Sequence, residues 1–198
     1  MIRMRWLLPL VAFSLALAAE KHGLSTSTHW QWRTPSTPAI TPGGGAVVYA
    51  LSWNDPKTDT AYSNLWIVSI HGENRPLTTG DFSDTQPRVS PDGTRVAYFS
   101  NRSGARQLWV RWLDGRNEAQ ITRVEPGPVD FEWSPDSRAL AFTARVPAEP
   151  AFKVNLPAPP KGAKWGTPAS VVTNLRWRAD KTPGQGLVPD GETHLYLV

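Results

Sequence analysis

The sequence predicts an all-β protein built from repeated four-stranded sheets, and two repeated motifs support this prediction. A turn motif occurs three times, as Thr-Pro-Gly-Gly, Ser-Pro-Asp-Gly and Ser-Pro-Asp-Ser at residues 41–44, 90–93 and 134–137. A strand motif also occurs three times, as Asn-Leu-Trp, Gln-Leu-Trp and His-Leu-Tyr at residues 64–66, 107–109 and 194–196. Successive turn motifs lie about 44 to 49 residues apart, which is the length of one blade of a β-propeller.

Each part of the repeat has a local conformational preference. In Ser-Pro-Asp-Gly, proline fixes φ at the first central turn position, aspartate tolerates the second, and glycine supplies the positive φ that follows. The next residues are apolar, β-branched or aromatic, which favours strands. The predicted strands are 96–99, 140–143, 65–70 and 108–113, with hairpin turns at His71-Gly72 and Asp114-Gly115 and short last strands at 76–78 and 120–122.

These elements predict a partial β-propeller with two complete four-stranded blades and an incomplete third. The predicted blades cover about 40–79, 84–123 and 128–198, after a signal peptide at 1–18 and an approach segment at 19–39. A β-sandwich is the alternative, because its strands also recur at short intervals. In a sandwich, nothing requires the same turn and the same Leu-Trp strand to recur together about every 44 residues. The propeller is therefore favoured.

Composition excludes several classes of protein. The 19 prolines and 15 glycines in 198 residues are fewer than a disordered chain would carry. The absence of cysteine excludes a disulfide framework, a thiolate zinc site and a cysteine nucleophile. The net charge is +4, but lysine and arginine are scattered rather than clustered, so no nucleic-acid partner is expected.

The N-terminus has the pattern of a secretory signal. Arg3 and Arg5 precede an apolar run at 6–18 that ends in Ala-Leu-Ala. The run is about 13 residues long, whereas a membrane-spanning helix needs roughly 20. We therefore expect a periplasmic or secreted protein with no stable membrane anchor. An uncleaved anchor or a buried helix is the alternative.

The repeats resemble the propeller repeat shared by TolB-type proteins and the prolyl oligopeptidase family of serine peptidases. Three segments favour the acylaminoacyl-peptidase and dipeptidyl-peptidase branch: the approach segment, an insert at 52–63 in the first blade, and a Pro-rich insert at 146–173 in the third. After the last insert come Arg-Trp-Arg-Ala-Asp and His-Leu-Tyr, similar to an element of acylaminoacyl-peptidase-like chains. Trp177 replaces the usual ring there, and Lys181 stands where glycine is usual.

The resemblance implies a non-catalytic role for this chain. In the family, the propeller covers the active site of a C-terminal α/β-hydrolase domain and admits only short peptides. That domain needs a Gly-x-Ser-x-Gly elbow, and the nearest match, at 23–27, lacks the last glycine. The expected partners are therefore the C-terminal α/β-hydrolase domain of the parent chain and short peptide substrates. The alternatives are a TolB-like interaction protein, or a free-standing propeller fragment without activity.

No catalytic, cofactor-binding or metal-binding residue is predicted. Asp92 and Asp136 occupy the same repeat position, so turn formation explains both carboxylates. The four histidines lack metal-site spacing, and the triple glycine at 43–45 is not followed by the Lys-Ser/Thr of a phosphate loop. Three tryptophans at blade positions are interpreted as core packing rather than as a ligand cage: Trp66, Trp109 and Trp133.

Export should remove the predicted signal peptide. Because Ala16 and Ala18 have the spacing that signal peptidase recognises, N-terminal sequencing of the exported protein should begin at Ala19 or Glu20. Recovery of an intact Met1 in soluble exported material would show that the segment is retained.

Overall fold

Three antiparallel sheets follow one another along the chain. The computed structural model describes residue 28 and residues 30–115, 117–147, 157–166 and 191–198. The strands are β1 (Thr34–Ile40), β2 (Ala46–Asp55), β3 (Thr60–Ser69), β4 (Asn74–Pro76), β5 (Thr85–Val89), β6 (Arg95–Ser100), β7 (Gln107–Trp112), β8 (Glu118–Gln120), β9 (Asp130–Trp133), β10 (Leu140–Pro147) and β11 (Gly191–Leu197). Sheet 1 is β1-β2-β3-β4, sheet 2 is β5-β6-β7-β8, and sheet 3 is β9-β10-β11.

Some predicted segments lie outside the described residues. These are the signal peptide, the first part of the approach segment, and most of the Pro-rich insert with the Arg-Trp-Arg-Ala-Asp element after it. Within the described ranges, we find no helix with the length and apolarity needed to cross a bilayer.

Sheet 2 is packed on both of its faces. Along β6, successive side chains point to opposite faces, as in any strand. Val96 and Tyr98 join one apolar core with residues of sheet 1, whereas Ala97 and Phe99 join a second core with residues of sheet 3. All four side chains are at most 1% exposed. The two cores therefore hold the three sheets together, with sheet 2 in the middle.

The repeated turns have the predicted geometry. The Ser90 N–H donates to the Arg95 carbonyl at 2.8 Å, and the Gly93 N–H donates to the Ser90 carbonyl at 2.8 Å. Gly93 has a φ of 74°, and Ser137, at the same position of the third turn, has a φ of 61°. Serine rarely adopts this conformation. At Ser137 the hydroxyl accepts a hydrogen bond from the Asp92 N–H at 2.9 Å, which joins the turns of sheets 2 and 3.

The outer strands end earlier than predicted, because a threonine caps each of them. The predicted last strands at 76–78 and 120–122 are replaced by β4 and β8, which end at Pro76 and Gln120. After β8, the Ile121 and Thr122 N–H groups both point at the Leu108 carbonyl, at 2.8 and 3.4 Å. The Thr122 hydroxyl then accepts the Leu108 N–H at 2.9 Å. Thr78 makes the same bond to Leu65 at 2.8 Å.

Sheet 1 begins before the predicted blade boundary. The approach segment was predicted to run to residue 39, but β1 covers Thr34–Ile40 and pairs with β2. The two prolines of β1 argue against a strand, because proline has no N–H to donate to a sheet. An edge position and a register shift between Ser36 and Ala39 accommodate them. The same irregularity recurs in β5, where Gln86 has a φ of 52°, close to the 46° of Thr37.

The predicted insert at 52–63 consists of two paired strand ends joined by a turn at 56–59. It forms the end of a long hairpin in which β2 and β3 pair from Ala46 with Ser69 to Asp55 with Thr60. Trp53 and Tyr62 lie opposite each other there, with ring centroids 5.9 Å apart. Aromatic cross-strand pairs stabilise antiparallel strands, which explains why the hairpin continues past the rest of the sheet.

Replacing the capping threonine of sheet 2 should destabilise the protein. Thr122→Val keeps the shape of the side chain but removes its hydroxyl. The buried Leu108 N–H loses its acceptor, and the Gln107 amide oxygen loses a donor. We therefore expect a loss of about 1–3 kcal/mol in the free energy of unfolding. Thr60→Val is the matched control, because that hydroxyl is exposed and should matter by less than about 0.5 kcal/mol. Urea denaturation measures both, and equal losses would contradict a capping role.

Candidate functional site

The first strands of sheets 1 and 2 are in contact, and side chains join the first strands of sheets 2 and 3. β5 contacts β1 of sheet 1, and its Arg88 side chain reaches β9 of sheet 3. Propeller blades surround a central channel and approach each other most closely at their inner strands. We therefore define the inner-strand surface as β1, β5 and β9, the strands that correspond to the channel side of a propeller.

Arg88 joins two sheets at the inner-strand surface. Its Nη1 and Nη2 atoms lie 2.8 Å from Glu132 Oε2 and 2.9 Å from Asp130 Oδ1. The guanidinium lies over the Phe131 ring, 4.9 Å from the centroid, and the Trp133 indole N–H donates to the Arg88 carbonyl at 2.9 Å. The two carboxylate side chains are 60% and 72% exposed. The two ion pairs of Arg88 are therefore exposed to solvent and contribute little to the free energy of unfolding.

Arg106 approaches the same strands from the loop that follows β6. Its guanidinium lies 3.8 Å from the centroid of the Phe99 ring, and it donates to the Val129 carbonyl at 3.0 Å. Burial lowers the pKa of Arg106, and the charge of Asp130 opposes this effect. The loop between β8 and β9 packs closely here: a Cβ on Gly127 would lie 2.0 Å from the Arg106 carbonyl oxygen. A side chain at that position would force the backbone apart.

A second charged cluster lies between sheets 1 and 2. Asp84 is fully buried, and its Oδ2 atom lies 2.9 Å from Arg102 Nη2. Arg102 also pairs with Glu118, which in turn lies 3.2 Å from Arg111. The Tyr98 hydroxyl donates to Glu118 at 3.2 Å, and burial raises the pKa of Tyr98. We call these four charged residues the Arg102 cluster.

Aromatic rings surround the Arg102 guanidinium. The ring centroids of Trp109, Phe82 and Tyr98 lie 4.9, 5.5 and 5.7 Å from it. Asp84 is fixed to sheet 1 through its backbone, because the Asp84 N–H donates to the Ser63 carbonyl at 2.9 Å. Asp84 lies in the segment between β4 and β5. The cluster therefore connects this segment to sheet 1 through Ser63 and to sheet 2 through Arg102.

A cavity of about 430 Å³ opens beside the Arg102 cluster. Its walls are residues 76–79 of sheet 1, together with Arg102, Arg111 and Glu118. Both arginines face Glu118, and Arg102 also faces Asp84, so two positive charges are balanced by two negative ones. This balance does not favour an anion or a cation, and the geometry supports a structural role for the cluster.

The two aspartates of the turn motif stabilise the turns in which they lie. Asp92 accepts the Ser90 hydroxyl at 2.6 Å and the Thr94 N–H at 3.0 Å, and these bonds lower its pKa. Asp136 accepts the Ser134 hydroxyl at 2.6 Å, which lowers its pKa in the same way. Both carboxylates are thus ionised at neutral pH. The support they give their turns is lost only in acid, as pH falls through the lowered pKa.

The other residues considered in the sequence do not meet in one site. His71 lies in the turn after β3, and His194 lies in β11 with Nε2 3.8 Å from Glu192 Oε2. Trp133 is buried in the core, while Trp66 and Trp109 are half-buried. Among the described residues, no group of three or more histidine, aspartate or glutamate side chains is placed to hold a metal ion. The assignment of no catalytic residue stays a prediction.

Sequence reasoning did not identify the arginines that join the sheets, among them Arg88, Arg102 and Arg106. Each lies in or beside a strand of sheet 2, whereas most of its partners are distant in the sequence. A signal was present for Arg88, since Pro-Arg-Val-Ser-Pro at residues 87–91 matches Pro-Ala-Ile-Thr-Pro at 38–42 except for the charge. No local pattern indicates that Asp84 is buried beneath Arg102.

Removing Arg102 should cost far more than removing Arg88. Arg102→Met leaves the buried Asp84 carboxylate without its partner, and we expect a loss of about 3–5 kcal/mol in the free energy of unfolding. Arg88→Met is the matched control: it breaks exposed pairs and should cost about 0–1 kcal/mol. Thermal and urea unfolding compare the variants. Equal losses would mean that the Arg102 cluster does not tie the sheets together.

Comparison with known proteins shows two groups of relatives. The chain is 33% identical over 111 residues to an uncharacterized peptidase, YuxL, of Bacillus subtilis, covering 55% of this chain and 17% of that one. It is 37% identical over 109 residues to dipeptidyl-peptidase 5 of Porphyromonas gingivalis, covering 54% and 16%. It is also 28% identical over 111 residues to a TolB homolog of Chlorobium luteolum, covering 56% and 25%. The chain thus matches about a sixth of the length of the two peptidases.

Solved structures agree on the fold. The acylaminoacyl peptidase of Pyrococcus horikoshii superposes with a TM-score of 0.54 and 22% identity, covering 66% of this chain and 21% of that one. No model of a known protein family matches the chain. The predicted fold class, an all-β partial β-propeller, is confirmed. The predicted resemblance is also confirmed: over about half of its length, this chain is similar to peptidases related to the prolyl oligopeptidase family and to TolB-like proteins.

Proposed function

We propose that this chain is the non-catalytic propeller portion of a periplasmic or secreted serine oligopeptidase. In this proposal, the inner-strand surface lines the path by which short peptides reach the active site of a C-terminal α/β-hydrolase domain. The single observation that carries it is the side-by-side arrangement of β1, β5 and β9, with the charged groups of Arg88, Asp130 and Glu132 directed to solvent. The similarity to two peptidases supports the assignment to a peptidase.

The physical basis of gating is steric. A wall of strands that are tied together by side chains, as β5 and β9 are by Arg88, resists widening. A channel with such a wall admits a thin, extended peptide and excludes a folded protein. The charged groups on this wall can form hydrogen bonds with the peptide backbone as it passes, because they remain exposed.

The chemistry in this proposal comes from the hydrolase domain. Hydrolysis by a serine nucleophile requires a base that accepts its proton and an oxyanion hole in fixed geometry. No Gly-x-Ser-x-Gly motif occurs in the 198 residues. The proposed location outside the cytoplasm rests on the predicted signal peptide.

The second candidate is a TolB-like interaction protein, in which the propeller itself is the binding surface. The similarity to the TolB homolog of Chlorobium luteolum favours it, since that match covers as much of this chain as the peptidase matches do. The two candidates differ in one respect: only the first requires a serine nucleophile in the same polypeptide.

An active-site serine probe distinguishes the two candidates. A fluorophosphonate should not label the 198-residue chain, and it should label one serine in a longer product of the same reading frame. Stoichiometric labelling of the chain itself would overturn the non-catalytic role. Absence of labelling in the longer product would favour the TolB-like candidate.

The gating role has its own test in the active longer product, before any probe is added. Arg88→Ala removes the charged side-chain contacts between β5 and β9, so we expect the rate on peptides of ten or more residues to rise relative to the rate on dipeptides and tripeptides. Arg75→Ala is the matched control, because Arg75 lies exposed in the outer strand β4. An unchanged length preference in Arg88→Ala would contradict gating at this wall.

A further inference from the structure

The three repeated turns lie side by side along one rim of the sheets. We call this rim the turn rim and the opposite one the loop rim. A Cβ on Gly93 would lie 3.6 Å from Pro42 Cδ, so the turns of sheets 1 and 2 are neighbours. The Asp92 N–H donates to the Ser137 hydroxyl at 2.9 Å, so the turns of sheets 2 and 3 are neighbours too. Each rim is therefore shared by all three sheets.

The longer connections between strands lie at the loop rim. Connections alternate between the two rims because the strands are antiparallel. The longest connection at the turn rim between strands of the described parts is 134–139, whereas the loop rim carries 77–84, 121–129 and 148–190. The approach segment also enters at the loop rim, since it leads into the start of β1. The additions to the basic repeat are therefore concentrated at this rim.

Sheet 1 extends beyond the others at the loop rim as a hairpin arm, residues 52–63. The last pair of the equivalent hairpin in sheet 2 is Ser100 with Gln107. The repeat places Leu51 and Asn64 at these positions, and they also pair with each other. Four further pairs follow in sheet 1, and at about 3.3 Å per residue they lengthen it by about 13 Å. The hairpin arm therefore reaches past the level at which sheet 2 ends.

Two aromatic rings and one guanidinium form a ladder on the hairpin arm. Trp53 and Tyr62 are opposite each other, with ring centroids 5.9 Å apart. The Arg33 guanidinium lies 5.8 Å from the centroid of the Trp53 ring. Both rings are only half-buried. With Arg33 included, the arm carries two positive and two negative charges, so it offers an aromatic surface without excess charge.

We propose that the hairpin arm docks on the C-terminal hydrolase domain and holds that domain over the loop rim. This inference rests on the proposed function and adds the surface through which the two domains meet. Aromatic side chains are enriched at protein interfaces and often supply much of their binding free energy. The inner strand β1 begins beside the arm, where Thr34 pairs with Ser52. A domain bound to the arm therefore lies next to the inner-strand surface, at one end of the path that peptides take.

Two observations favour a domain of the same polypeptide as the partner. The chain matches about a sixth of the length of the two peptidases, so a peptidase of that size has further domains for the arm to contact. The approach segment reaches the sheets at the arm itself, because Arg33 stacks on Trp53. The balanced charge of the arm does not favour a nucleic acid or an anionic membrane, either of which would select a basic surface.

Photocrosslinking in the longer product of the same reading frame tests the proposal. With Tyr62 replaced by p-benzoylphenylalanine, illumination should join the arm to a peptide of the hydrolase domain, which mass spectrometry identifies. The same probe in place of Trp112 is the matched control. Trp112 is an exposed aromatic residue at the end of β7 on the turn rim, so we expect no crosslink from it to the hydrolase domain.

A second variant shows whether the aromatic ladder produces the contact. Trp53→Thr should lower the crosslinking yield from position 62 about tenfold, because removing an aromatic anchor weakens the interface around it. Threonine has a high preference for strands, so the hairpin itself is retained. Circular dichroism of the same sample confirms that the protein is folded.

The outcomes separate this inference from the proposed function. If a fluorophosphonate labels no serine in the longer product, the proposed function fails and the docking fails with it. If the serine is labelled, three results would overturn docking through the arm alone. These are the absence of a crosslink from position 62 to the hydrolase domain, equal crosslinks from positions 62 and 112, and a yield that Trp53→Thr leaves unchanged.

Discussion

The burial of sheet 2 on both faces is the constraint on which the rest of the structure depends. Successive side chains of β6, from Val96 to Phe99, belong alternately to two cores, so both faces of the sheet are apolar there. The sheet is then stable only with an apolar neighbour on each side, because burying those faces supplies the main favourable free energy. The charged residues of sheet 2 lie towards the ends of its strands and in its loops, where Arg88, Arg102 and Arg106 contact the neighbouring sheets or the segment that links them.

The sequence predicted what depends on neighbours along the chain. The turns, the central strands and the repeat length follow from φ preferences and side-chain shape, and Gly93 and Ser137 have the positive φ that the motif requires. The prediction was wrong where local preference and environment disagree. The approach segment was predicted to precede the first blade up to residue 39, yet residues 34–40 form an edge strand whose bulge accommodates two prolines. The capping role of Thr122 depends on Leu108 in another strand, which no local pattern indicates.

The candidate site was less predictable than the fold for a physical reason. A turn or a strand is specified by residues close in sequence, whereas an ion pair such as that of Arg88 and Glu132 joins residues 44 positions apart. A repeat is recognised by the residues that its copies share. A residue that differs between copies, such as Arg88, is therefore easily overlooked. Arg88 and Ala39 occupy the same position of their blades, and only a comparison of the copies reveals that one of them carries a charge.

The threonine caps limit how the sheets can associate. Each cap stops an outer strand after three residues, because two successive N–H groups are directed at a single carbonyl. A three-residue edge has too few unpaired backbone groups to recruit a strand from another molecule, and in β4 one of the three residues is Pro76. Thr78 and Thr122 thus limit edge-to-edge growth at β4 and β8, whereas the seven-residue edge strand β11 of sheet 3 has no such cap among the described residues.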